Sequence, residues 1–463
     1  MGTSRPTPDA LSGFPYRELA LDRDGQLVEP DQVAAVAALA EVPEPVTDLV
    51  VLVHGWNNDE AEAFGLYRRL AASFSDVRAG DTGFASRPTG RRIGLVGVFW
   101  PSKKFADADL IPGGAAGLDD DLALRLRLDE LAGTFDVPDA KQRLAGAARL
   151  AGSLADSTAQ LAAFVDLVRG LVPDPDARPA SEDVDAADLF GDLDAAEVAE
   201  RLRDPTLGDP GPGDLALWTA GPPSDLGGVA WVDGGAGLPT TAGGAAGFVD
   251  LPPDVRTAAR RWLNYTTYFQ MKKRSGLVAQ QGLAPALATA VGPGQRLHLV
   301  GHSFGARLVT ATVAAGCPTL SSLSLLQGAF SHFAFAKDWQ PGSDGQFRQV
   351  LTSGRIAGPV IVTHTRNDRA VGLAYAVASR LARQNASTLG DASSRYGGLG
   401  SNGALSTPEA VRGDLLPARA GYALLPGRVH NLLADRFVSD HGDVTGPEVA
   451  NAVLTAAGVF RHE

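Results

Sequence analysis

Gly301-His302-Ser303-Phe304-Gly305 has the G-x-S-x-G spacing that can raise a serine hydroxyl above a protein surface. The apolar run Leu297 to Val300 precedes it, and Ala306 to Val313 follows with apolar residues at helical spacing, so the stretch reads as strand, sharp turn, helix. A serine at such a turn sits in strained backbone, and small residues two before and two after it are needed because strand and helix crowd there. The chemistry on offer is attack by an oxygen nucleophile. A serine hydroxyl is a poor nucleophile until an imidazole takes its proton, and the imidazole needs a carboxylate to hold its tautomer and stabilise the imidazolium.

His441 lies in the polar, Gly-containing loop Val438-Ser439-Asp440-His441-Gly442-Asp443, which suits a base that must reach over a sheet. Its competitor, His430, falls inside an apolar strand pattern and reads as a packed side chain. Asp368 follows the strand pattern Pro359 to His364 and is the candidate acid. Capping a helix near Arg369 is its plainer role, and Asp338 and Asp344, after the preceding strand, are its rivals. His54, His298, His302 and His364 sit at strand ends or in the turn and read as structural. No pair has metal-ligand spacing, so neither a metal nor a cofactor is expected.

The 463 residues are 44% hydrophobic and 20% charged, ordinary values for a globular protein with a sizeable core. A formal charge of −12 argues against nucleic acid or an anionic membrane as a partner and favours a neutral, uncharged substrate. The single cysteine, Cys317, excludes an intrachain disulfide and a cysteine-rich metal site, and reads as a small packing residue. The first residues lead into no apolar signal region, and no stretch approaches the roughly twenty apolar residues of a membrane span. A soluble, cytoplasmic protein is expected.

Buried strands are predicted at Asp48 to Gly55, Ile93 to Trp100, Leu297 to Val300, Leu320 to Gly328, Pro359 to His364 and Arg428 to Leu433, with an edge hairpin from Tyr16–Leu21 and Gln26–Val28 around Asp22-Arg23-Asp24-Gly25. Helices are predicted from Asp31 to Ala40, Glu60 to Phe74 and Asp254 toward Lys273, with more from Leu277 to Val291. Another opens at Thr445-Gly446-Pro447-Glu448 as a capping box. Strands alternating with helices imply a mainly parallel α/β sheet. Between Lys103 and about Asp250 the strand pattern stops, leaving helical stretches at Leu122–Leu131 and Ala140–Leu171, then Gly-, Pro- and Asp-rich loops from Pro173 to Pro253. Asn385 to Leu415 reads as a Gly- and Ser-rich excursion.

Taken together, Val51-Leu52-Val53-His54-Gly55-Trp56, the Ser303 turn, Asn367-Asp368 after a strand and His441 after the last strand resemble the α/β-hydrolase family, especially its esterases and lipases. The resemblance covers residues 45–102 and 255–463. It implies the chain order Ser, Asp, His, and a core made of residues 1–102 and 254–463. Residues 103–253 would be a cap insertion, mostly helix and loop, between the strand ending at Trp100 and the nucleophile strand. An oxyanion hole is expected from the Phe304 backbone N–H and, by the family's pattern, the Trp56 backbone N–H. The expected activity is cleavage of carboxylic esters through an acyl-enzyme formed on Ser303, with His441 as base and Asp368 as its orienter. Thioester, amide or peptide cleavage would use the same residues. The alternative from another class is a catalytically inactive protein of this fold that binds a partner through its insertion.

Overall fold

The computed structural model describes residues 7–41, 45–56, 58–79, 86–88, 91–102, 120–154, 157–172, 194–202, 254–368 and 397–462. Its strands are β1 (Ala10–Leu11), β2 (Phe14–Ala20), β3 (Asp48–Val53), β4 (Ser86–Pro88), β5 (Ile93–Phe99), β6 (Arg296–His302), β7 (Leu320–Leu326), β8 (Val360–His364), β9 (Ala410–Asp414), β10 (Val429–Leu433) and β11 (Phe460–His462). Nine of them form one sheet in the order β1-β2-β5-β3-β6-β7-β8-β10-β9, while β4 and β11 pair separately. Every neighbouring pair in the large sheet is parallel except β1 with β2. The chain steps from β3 outward to β5 and then returns to place β6 on the other side of β3. The carboxyl ends of β3 and β6 therefore border the crevice where an open parallel sheet binds its ligands.

The central strands β3 and β5 are almost wholly apolar because both faces are covered. Leu49, Val51 and Val53 of β3 join Val96 and Val98 of β5 in one apolar cluster, with Leu308, Val309 and Val313 of helix Phe304–Ala315 and Trp262 of helix Asp254–Val278. Val50 and Leu52 point the other way, toward Leu66, Leu70 and Phe74 of helix Glu60–Ala79 and Val449 and Val453 of helix Pro447–Ala456. A capping box opens helix Glu60–Ala79. Asp59 Oδ1 accepts from the Glu62 N–H at 2.9 Å and the Glu62 carboxylate accepts from the Asp59 N–H at 2.6 Å, which fixes the chain just past the His54–Trp56 turn.

At the opposite, amino end of the strands, Asp48 is fully buried. Arg296 grips its carboxylate through Nε and Nη2, both at 2.9 Å, Arg91 Nε donates at 2.9 Å, and Thr47 Oγ1 donates at 2.6 Å. His298 Nε2–H donates to the same carboxylate at 3.0 Å while its Nδ1 accepts from Ser322 at 2.8 Å. Burial first, then Arg91 and Arg296, push this imidazole down to about 3, so it is neutral. The network ties the starts of β3, β5, β6 and β7. Asp48→Ala leaves the partly exposed Arg91, Arg296 and Thr47 and the buried His298 without their shared acceptor and is expected to remove about 1–3 kcal/mol of stability in urea unfolding, with no change at the far end of the strands.

Several expectations are corrected. The Tyr16–Val28 hairpin reduces to one bridge between Leu21 and Leu27, because the Asp22 carboxylate accepts from the Asp24 and Gln26 N–H groups and Gly25 turns at φ +82°; β2 lies beside β5 instead. The Ala140–Leu171 stretch is two helices, Ala140–Leu150 and Thr158–Arg169, broken by a 3₁₀ turn at Ala151–Ser153 and restarted by the Ser157 cap. The capping box at Thr445 is not formed. Gly446 is the cap, and the Thr445 carbonyl accepts from Ser73 Oγ at 2.6 Å. The excursion read through Leu415 contains β9. Most of Pro173–Pro253, and Asn385–Tyr396, lie outside the described residues.

Helix Thr158–Arg169 packs on helices Ala140–Leu150 and Ala195–Leu202, and it and Ala195–Leu202 pack on helix Asp254–Val278, where Trp262 Nε1 donates to the Val165 carbonyl at 3.0 Å. Leu144, Ala147, Leu161, Phe164, Val165 and Val168 are all buried in that packing, so the apolar face of the stretch is occupied by neighbouring helices. No helix among the described residues is long and apolar enough to cross a membrane.

Candidate active site

The turn after β6 is tight for a physical reason that can be read atom by atom. Ser303 has φ +57° and ψ −122°, backbone that an L residue holds only when its surroundings force it. A Cβ on Gly305 would lie 2.2 Å from the Val53 carbonyl oxygen, and one on Gly301 would lie 2.3 Å from the Gly305 carbonyl oxygen. The Ser303 N–H donates to Leu326 O on β7 at 3.0 Å, and its carbonyl accepts from Ala306 and Ala329. The strained residue is thus pinned on both sides.

Three loops converge there. Because β8 and β10 are neighbours, with His364 opposite Leu433, the segments leaving their carboxyl ends run side by side. His441 Nε2 lies 2.8 Å from Ser303 Oγ, and His441 Nδ1 lies 2.9 Å from Asp368 Oδ2. A carboxylate can only accept, so Nδ1 carries the proton and Nε2 is left to accept the Ser303 hydroxyl hydrogen. Ser303, His441 and Asp368 are 5%, 8% and 2% exposed, which shields the chain of bonds from water and strengthens each.

The remaining expected residues fall as follows. Phe304 is the first residue of the helix after the turn, and a first-turn N–H has no intrahelical carbonyl to bond. A Cβ on Gly55 would stand 2.7 Å from Ser303 Cβ and 3.2 Å from its Oγ, so the Gly55–Trp56 peptide lies against the serine. The Trp56 ring meets Phe304 and Tyr268 edge-on, at centroid distances of 6.0 and 6.3 Å.

Asp338 and Asp344 are not at the site. They share an exposed turn in which Asp344 Oδ1 accepts from the Asp338 N–H at 3.0 Å. His430 accepts from the Leu425 N–H at 2.9 Å. His54 is buried, its Nε2 accepting from the Trp100 N–H at 3.3 Å and its Nδ1 directed at Gly55 O at 2.9 Å, and burial pushes it down to about 4. Cys317 is buried and its thiol is pushed up to about 11 by that burial. A helix cap role for Asp368 involves Arg369, outside the described residues. Among the described residues, no group of three or more His, Cys, Asp or Glu side chains is arranged to hold a metal ion.

Other residues position the three. Asn367 Nδ2 donates to Asp435 O at 3.1 Å and Val438 O at 2.8 Å, tying the Asp368 loop to the His441 loop. The Asp440 carboxylate accepts from the Gly442 and Asp443 N–H groups at 2.8 and 3.0 Å and shapes the turn that carries His441. A Cβ on Gly400 would fall 2.8 Å from Asp368 Oδ2. The Asp-x-Gly of Asp440 is a turn signal in the sequence; Gly400 gives none.

His302, which the sequence assigns to structure, donates from Nε2 to the His441 carbonyl at 2.8 Å, with ring centroids 4.9 Å apart. Burial, followed by the neighbouring His441, pushes it down to about 3, so it stays neutral near pH 7. His302→Phe keeps a ring of similar width but leaves that carbonyl without its donor, a loss of about 1–3 kcal/mol. We expect that loss to appear as a lower midpoint in urea unfolding of the variant, at an unchanged slope. Comparison of the chain with known protein families, curated proteins and solved structures finds no match.

Proposed function

We propose that this chain is a serine hydrolase of the α/β-hydrolase fold that cleaves neutral carboxylic esters. The observation that carries the reading is the unbroken run from Ser303 Oγ through His441 to Asp368, with contacts of 2.8 and 2.9 Å, at the edge of the crevice between β3 and β6. In this reading His441 Nε2 takes the Ser303 proton as Oγ attacks the acyl carbon. The resulting imidazolium is stabilised by Asp368, and the oxyanion by the Phe304 and Trp56 N–H groups. Collapse of the tetrahedral species expels the alcohol, protonated from His441, and leaves an ester on Ser303. A water then repeats the sequence, releasing the acid and regenerating the hydroxyl.

The helices between Asp120 and Leu202 act as a cap in this proposal. Helix Asp254–Val278, on which Thr158–Arg169 and Ala195–Leu202 pack, carries Tyr268 to the Trp56 ring, and Arg274 of the same helix donates to Pro101 O at 3.3 Å and to Thr134 O at 2.6 Å. The insertion is thereby fastened beside the point where the chain leaves β5.

A fluorophosphonate probe tests the reading directly. We expect stoichiometric labelling of Ser303 at neutral pH, located by mass spectrometry of the labelled peptide. Folded protein that stays unlabelled would favour a binding role for the same crevice.

A further inference from the structure

Among the described residues the large sheet ends on β9, whose one strand neighbour is β10. Ala410 is half-buried and the four residues after it are exposed, Val411 by 40%. The Val429 N–H donates to Glu409 O, and the Leu415 N–H donates to Leu433 O. Main-chain groups alternate in direction along a strand, so residues 409, 411, 413 and 415 face β10 while Arg412 and Asp414 turn their N–H and C=O groups outward. An open row of this kind is a template for another strand, and proteins commonly blunt it with lysines, proline, a bulge or a covering segment. β9 instead carries one charge of each sign, two residues apart and hence on the same face. Among the described residues, neither the Arg412 nor the Asp414 side chain has a hydrogen bond or ion pair.

We propose that the chain forms a homodimer by antiparallel pairing of β9 with β9 of a second copy, centred on Gly413. A two-fold axis through Gly413 places Arg412 of one copy opposite Asp414 of the other, and the reverse on the far side of the axis. The outward main-chain groups of these residues meet as hydrogen-bonded pairs in that register, with Cα atoms about 5.5 Å apart. Gly413 faces its own copy at the closer position, about 4.5 Å, where the missing side chain removes a clash. Centring the axis on Arg412 or on Asp414 would set like charges face to face, which opposes pairing. Charge and main-chain direction therefore select the same register.

The test is sedimentation velocity of the full chain over a wide concentration range at about 0.15 M salt, where the Debye length of about 8 Å screens long-range repulsion between copies. We expect a concentration-dependent dimer. Arg412→Asp should weaken it about tenfold or more, because both cross-strand pairs become repulsive, and Asp414→Arg should do the same. The double variant Arg412→Asp with Asp414→Arg should regain the wild-type dissociation constant. A wild type that stays monomeric at every concentration overturns the proposal. So does a dimer indifferent to either reversal, or a double variant that fails to recover. Hydrogen exchange on the wild type gives an arm that depends on no variant: the Arg412 and Asp414 amides should gain protection as the dimer forms, and their unchanged exchange in the dimer would place the contact elsewhere.

Discussion

Ser303→Ala is expected to lower ester hydrolysis by about four to six orders of magnitude, to abolish fluorophosphonate labelling, and to leave the fold intact. The size follows from the proposed role, since no other hydroxyl is positioned against His441 Nε2 at 2.8 Å among the described residues. The small effect on folding follows from the surroundings. The hydroxyl is not what holds the turn; the Ser303 N–H bond to Leu326 O and the close approach of Gly305 to the Val53 carbonyl do that, and alanine keeps both. Turnover of p-nitrophenyl butyrate and thermal unfolding should be measured on the same preparation. Near-wild-type turnover with the mass of the variant confirmed would remove Ser303 from the mechanism.

What the sequence made legible at this site is local, and what it hid is not. The Ser303 turn could be read because its requirements lie within five residues: a Cβ at position 301 or 305 would strike backbone, so the glycines announce the geometry. The β3 strand could be read because burial on both faces leaves an unbroken apolar run. The pairing of Asp368 with His441 is only inferable from sequence, because it depends on β8 and β10 being neighbours although 64 residues of chain separate His364 from Val429. β9 carries no strand signature in the sequence for a related reason. Its residues are mostly exposed and carry no apolar alternation, so its strand character comes from the β10 edge it meets. The break at Ala151–Ser153 was hidden by apolar spacing that happens to continue in phase across Gly152, and His302 by the distance in sequence to the carbonyl it holds.

Asp368→Asn is expected to reduce kcat/KM by about 10⁴-fold while leaving the structure in place. The argument is one of proton bookkeeping at His441. The carboxylate at 2.9 Å from Nδ1 can only accept, so it compels the tautomer whose Nε2 lone pair faces Ser303. An asparagine amide at that position can instead turn its NH₂ toward Nδ1, which moves the imidazole hydrogen to Nε2. Ser303 then faces a donor and cannot give up its proton. The packing should tolerate the change, since the amide matches the carboxylate in size beside Gly400, whose absent Cβ leaves the room. Asp338→Asn and Asp344→Asn serve as controls, because both residues lie in an exposed turn joined to each other rather than to His441, and each should retain activity within about twofold, as expected for surface changes. Equal activity of Asp368→Asn and wild type on p-nitrophenyl butyrate, or a severe loss in either control, would require a different carboxylate behind His441.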